Sequence, residues 1–234
     1  MIYPYYYFDT ISLLVLIPAL LFAMWAQARV QSTYKKYGRV NSGRGYTGQQ
    51  VARMILDDNG LQDVRVEQVT GNLSDHYDPR TRVVRLSGGV YGSASISAVG
   101  IAAHECGHAV QHAESYAPMK LRSAVIPVTN FGSTLAIPLL LIGLLLQSQP
   151  LILVGIAGYA MMAVFQLITL PVEFNASSRA LTTISQHYIL DEDEQKDAKK
   201  VLSAAALTYV AALATAIAQV LRLLLLFGGR GRRR

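Results

Sequence analysis

His104, Glu105 and His108 fall in the run His104-Glu105-Cys106-Gly107-His108, which is approached by the apolar residues Val99, Ile101, Ala102 and Ala103. On a helix, residues four apart lie one turn above another on the same face, so both imidazoles can reach one tetrahedral zinc at about 2.0–2.1 Å. Glu105, one step round the helix, falls beside the metal rather than on it. There a carboxylate can take a proton from activated water and deliver one to a leaving amine. The chemistry these residue types support is hydrolysis. Gly107 is small enough to let a neighbouring helix or a substrate come close.

A catalytic zinc needs a third protein donor and one position left for water. His112 lies another four residues on, but residues 104–112 span about 12 Å at 1.5 Å per residue, too far for one ion to hold both ends. The longer H-E-x-x-H-x-x-G-x-x-H pattern is absent, because Gln111 and Glu114 stand where it would need Gly and His. His112 therefore belongs near the site or on a wet face. Glu173 is the stronger candidate, in Pro171-Val172-Glu173-Phe174-Asn175-Ala176-Ser177, where an apolar run ends. Charges at a membrane boundary are functional by default. The plain alternative is a solvated boundary glutamate, and Glu114 is the competing acid, six residues past His108.

Several elements must position these groups. Residues 32–44 are polar and glycine-bearing, as a linker should be. Thr47 can cap a helix carrying Val51, Met54 and Ile55 at helical spacing, with Asn59-Gly60 as its stop. Val64, Val66 and Val69 read as a strand, Gly71-Asn72 as a turn, and residues 81–86 as a second strand. Asp75, His76, Tyr77 and Asp78 read as a structural loop in preference to a small cation site. Gly88, Gly89 and Gly92 break regular structure before Ser93 or Ser95 caps the long helix that carries His104 and His108. Arg179, His187 or Tyr188 could supply an oxyanion donor.

Composition points to a membrane: 52% of the 234 residues are apolar and 15% charged. Crossing a hydrocarbon core takes roughly 20 mostly apolar helical residues. The sequence offers a first transmembrane helix at 8–28, a soluble part with a strand pair and the motif helix at 29–123, and a transmembrane hairpin at 124–170. A helix at 171–203 carries Glu173, a fourth transmembrane or interfacial helix covers 204–227, and a basic tail occupies 228–234. Lys and Arg outnumber Asp and Glu by 21 to 15, but they are scattered through loops and tail, which fits anionic lipid and not nucleic acid. Arg29, Lys35, Lys36, Arg39 and Arg44 follow the first span, so the positive-inside rule puts that segment in the cytoplasm, with 171–203 returned to the same side. If the fourth run spans, Arg230, Arg232, Arg233 and Arg234 fall outside, against the rule. A single cysteine, Cys106, excludes an internal disulfide and a multi-cysteine zinc module.

The motif HECGH, preceded by Asp75-His76-Tyr77-Asp78-Pro79 and LSGGVY and followed, after a hydrophobic hairpin, by EFNASSRAL, resembles the YugP-type zinc metallopeptidases over nearly the whole chain. More distantly it is similar to the HtpX-like and CAAX prenyl protease membrane enzymes. The resemblance implies Glu173 as third zinc ligand and Ala176 as its packing partner. The wider group has Asp where this chain has Ser177, which at four residues from Glu173 keeps a weaker hydrogen-bonding role. In such proteases an exposed strand beside the active-site helix holds extended substrate, with residues 82–86, including Arg85, as the candidate here; an ordinary core strand is the alternative.

The expectation is a mainly α membrane protein, with about four transmembrane helices and a small α+β zincin-type (gluzincin-like) catalytic unit. Its zinc (Zn2+) is held by His104, His108 and Glu173, with Glu105 as general base. Ser177, His112, Arg85 and Arg179 are candidates for supporting the ligands or binding substrate. The substrates are proteins or peptides, membrane proteins among them, and the location is a bacterial-type inner or plasma membrane with the site facing the cytoplasm. Two other functions fit the same residues: a membrane adaptor with a structural zinc, and a zinc hydrolase acting on a non-peptide bond. Glu105, unnecessary for holding metal, argues against the first; substrate screening separates the second.

Overall fold

The structure, a computed structural model, describes residues 3–228, so the basic residues of the tail lie outside the described residues. The chain runs α1 (Tyr3–Tyr37), α2 (Gly48–Asp58), β1 (Arg65–Val69), β2 (His76–Asp78), β3 (Val83–Ser87), α3 (Gly88–Tyr91), α4 (Ile96–Ala113), α5 (Ala117–Leu145), α6 (Gln149–Gln186) and α7 (Glu192–Phe227). It is mainly helical, and α1, α5, α6 and α7 are long and apolar enough to cross a membrane. The chain forms two compact units.

The described part of the first unit comprises residues 3–27, 121–170 and 208–228. Its α5–α6 turn places Gln147 at φ +53°. Glycines let the two backbones approach: a Cβ on Gly158 would sit 2.7 Å from the carbonyl oxygen of Gly132, and one on Gly155 3.0 Å from that of Ala136. Thr215 Oγ1 donates to the Ala211 carbonyl in its own helix at 2.8 Å, which satisfies a hydroxyl without water. Leu14, Phe131 and Leu145 are exposed, as side chains facing lipid tails should be.

The second unit comprises residues 28–120 and 171–207 and holds every group singled out for chemistry. Thr47 caps α2 through a reciprocal bond with Gln50, and Val51, Ala52, Ile55 and Leu56 bury one face of that helix. Ser95 caps α4 by accepting from the Ala98 N–H at 3.2 Å. The buried side of α4 joins Val84, Leu86, Val90, Ile184, Leu190 and Leu202 in one apolar core. The sheet order is β1-β3-β2, with β1 and β3 parallel (Arg65↔Val83 to Val69↔Ser87) and β2 antiparallel to β3 (His76↔Arg85 to Asp78↔Val83).

Five features differ from the reading of the sequence, the first being that the expected helix 171–203 is divided, its opening part continuing α6 to Gln186 and its closing part belonging to α7 from Glu192. Helix α1 runs on to Tyr37, so the start of the expected linker is helical; Tyr37 is buried, and the Tyr34 carbonyl accepts from the Ser97 hydroxyl at 3.2 Å. The segment 76–78 is a strand and no cation site, because its polar groups are spent locally. Asp75 accepts from Ser87 N–H and Oγ–H at 2.7 and 3.1 Å, and Asp78 accepts from Arg80 N–H and Thr81 Oγ–H at 2.9 and 2.7 Å. Thr81, with Arg85 next, holds Asp78 far below the ordinary carboxylate range. Residues 88–91 form a short helix where a break was expected. Finally, β3 is the central strand with a partner on each side, which removes residues 82–86 as an exposed substrate edge.

Candidate metal centre

Two helices meet at the site. Gly107 of α4 faces Ala176 of α6 so closely that a Cβ there would stand 2.8 Å from the Ala176 carbonyl oxygen. Only the missing side chain permits this approach, and it brings the histidines of α4 opposite Glu173. Gly107→Ala is therefore expected to cost about 1–3 kcal/mol of stability and to weaken metal uptake together. A thermal melt in detergent paired with a zinc titration reads both, and an unchanged pair of values would refute the packing argument.

His104, His108 and Glu173 are brought together, with ligand atoms all within 4.8 Å of one another. Both Nε2 atoms address the same carboxylate oxygen, Glu173 Oε2, at 3.3 Å from His104 and 3.5 Å from His108. Two donors on one tetrahedral zinc at about 2.0–2.1 Å stand roughly 3.3 Å apart, so the donor set fits the ion in type, number and separation. The rings lie nearly perpendicular, 82° apart. Each Nδ1 turns to a different partner: Ser177 Oγ at 3.1 Å for His104 and Gln111 Oε1 at 3.0 Å for His108. Burial pulls the His108 pKa down, but Glu173, Glu105 and Gln111 together outweigh burial and raise the imidazole above its ordinary value.

Glu105 is 8% exposed and makes no hydrogen bond or ion pair among the described residues, which leaves its oxygens for water. Cys106 is excluded as a donor: it is fully buried, its Sγ–H points to the Ala52 carbonyl at 3.5 Å, and burial pushes the thiol up.

The remaining candidates lie elsewhere. His112 is exposed and fastened through Nδ1 to Tyr77 Oη of β2 at 2.8 Å, outside the donor cluster. Arg85 is held in the sheet by Asp78 at 3.1 Å and Glu67 at 3.7 Å. Arg179 donates through Nε to Asn175 Oδ1 at 2.8 Å and through Nη2 to Glu114 Oε2 at 2.6 Å, which also accounts for Glu114 and lowers its pKa. His187 pairs with Asp58 at 3.1 Å, and Tyr188 is exposed. Gln111 and Asn175 were missed by reasoning from sequence. Gln111 sits one turn past His108 at i+3, and that spacing was the available signal.

Residues 12–228 match the family described as "Putative neutral zinc metallopeptidase". The chain belongs to that family. A relative from Bacillus subtilis (strain 168), described as "Putative membrane protease YugP", is 52% identical over 211 residues, 90% of this chain and 94% of its own length. No solved structure matches the chain. Zinc is thus the family's metal, and among the described residues the one cluster able to hold it is His104, His108 and Glu173.

Proposed function

We propose that the chain is an integral-membrane, zinc-dependent endopeptidase built on a zincin-type, gluzincin-like arrangement. His104, His108 and Glu173 hold the metal, and Glu105 is the general base. The observation that carries this reading is the pairing of a three-donor cluster with a buried, uncommitted carboxylate one residue from the first ligand. A structural zinc has no need of Glu105.

Bound there, zinc supplies a Lewis acid that polarises a carbonyl and acidifies water. Glu105 takes the water proton on its carboxylate and passes one to the departing amide nitrogen. Ser177 and Gln111 orient the two imidazoles from behind. With β3 enclosed, an extended peptide would pair with the open edge of β2, a short strand tied to α4 by the Tyr77–His112 hydrogen bond. The substrate class is protein or peptide, and the basic cluster 29–44 favours a cytoplasmic site in a bacterial-type inner or plasma membrane.

Detergent-purified protein is expected to carry about one zinc per chain and to cleave unfolded casein, with cleavage lost to a chelator and restored by zinc. Protein without zinc, or cleavage indifferent to the chelator, overturns the proposal.

A further inference from the structure

Gln111 is fully buried on α4, and three groups engage both donors and the oxygen of its amide. Its Oε1 meets His108 Nδ1 at 3.0 Å, and its Nε2 meets both the Val172 carbonyl and Asn175 Oδ1 at 2.9 Å. Val172 and Asn175 flank Glu173 on α6, so one amide fastens a ligand histidine on one helix to the segment carrying the other ligand.

The direction of these bonds is forced. Arg179 has donors and no acceptor, so the atom of Asn175 that faces its Nε must be the carbonyl oxygen. That oxygen, like the Val172 carbonyl, can only accept, so Gln111 must present its NH2 to both. Its own oxygen is then left for His108, and an oxygen acceptor requires a proton on Nδ1. The Nε2 lone pair of His108 is thereby directed to the side where Glu173 and the metal lie. Arg179 is itself anchored by Glu114.

We infer that Gln111 is the positioning residue that fixes His108 in the ligand form with hydrogen on Nδ1 and metal on Nε2. Its polarity is imposed by the Val172 carbonyl and, through Asn175, by Arg179. This deepens the metal-centre reading and rests on it. The role is reached through His108 and involves no contact with substrate.

The test uses the full-length, detergent-purified protein labelled with 15N-histidine and loaded with zinc. Wild type is expected to show His108 ligated through Nε2, with a slowly exchanging Nδ1 proton. Gln111→Met, which keeps length and volume but no polar group, is expected to lose the slow exchange and to weaken zinc binding by about 10–100-fold in a competition titration. Asn175→Asp still accepts from Arg179 and Gln111, so it should keep the slow-exchanging proton. A purely structural Gln111 would lower the melting temperature without altering the ring proton.

Metal on His108 Nδ1 in wild type overturns the inference, and that result needs no variant to fold. So does Gln111→Met with wild-type zinc affinity and exchange, or Asn175→Asp with the defect of Gln111→Met. Wild type that takes up no zinc refutes the underlying metal centre as well, which separates the two failures.

Discussion

Glu105→Gln is expected to lower casein hydrolysis by about 10²- to 10⁴-fold while zinc content stays at the wild-type level. The substitution preserves shape and removes the negative charge together with the ability to accept a proton. Glu105 lies outside the donor cluster, and no internal bond depends on its charge among the described residues, so metal retention and fold should survive. Zinc analysis and a cleavage time course on the same preparation decide the matter. Cleavage at the wild-type rate would sink the mechanism, and simultaneous loss of zinc would move Glu105 into the set of groups that hold the metal.

Glu173→Ala is expected to do the reverse in its first step: zinc affinity falls by at least about a hundredfold, and cleavage disappears with the metal. The carboxylate contributes the one anionic donor, and both histidines aim Nε2 at its Oε2. Without it two imidazoles remain on adjacent turns of α4, a pair too few to hold the ion against a chelator. The discriminating measurement is a zinc titration with the melting temperature as a control for folding. Zinc held as tightly as in wild type would remove Glu173 from the ligand set and reopen the identity of the third donor.

Much of the second unit's local structure was written in short-range signals. Thr47 with Gln50, Asn59-Gly60 and Ser95 mark helix ends through bonds made within four residues, and such bonds depend little on the rest of the fold. The histidine pair was legible for the same reason, because helical periodicity alone puts positions 104 and 108 on one face. Strand β2 was not legible: three residues are too few to show alternation, and its polar His76 and Asp78 resemble a loop. The central place of β3 depends on long-range pairing that no local pattern encodes. Helix α1 passes the end of its apolar run because Tyr34 and Tyr37 find tertiary partners, which overrides the polar composition around them. Gln111 and Asn175 escaped notice because an isolated amide has no motif; its meaning comes from what folding places beside it.

The burial of Cys106 has a practical consequence. As the chain's lone thiol, it is sealed in the core and hydrogen bonded to Ala52, so alkylating reagents have no native target in the folded protein. A reporter cysteine substituted for exposed Arg39 or Asn72 would be the single reactive thiol, with nothing to remove beforehand. Membrane-impermeant maleimide applied to intact cells and to inverted vesicles would then read, as a vectorial label, the side of the bilayer on which the hydrolytic unit is displayed.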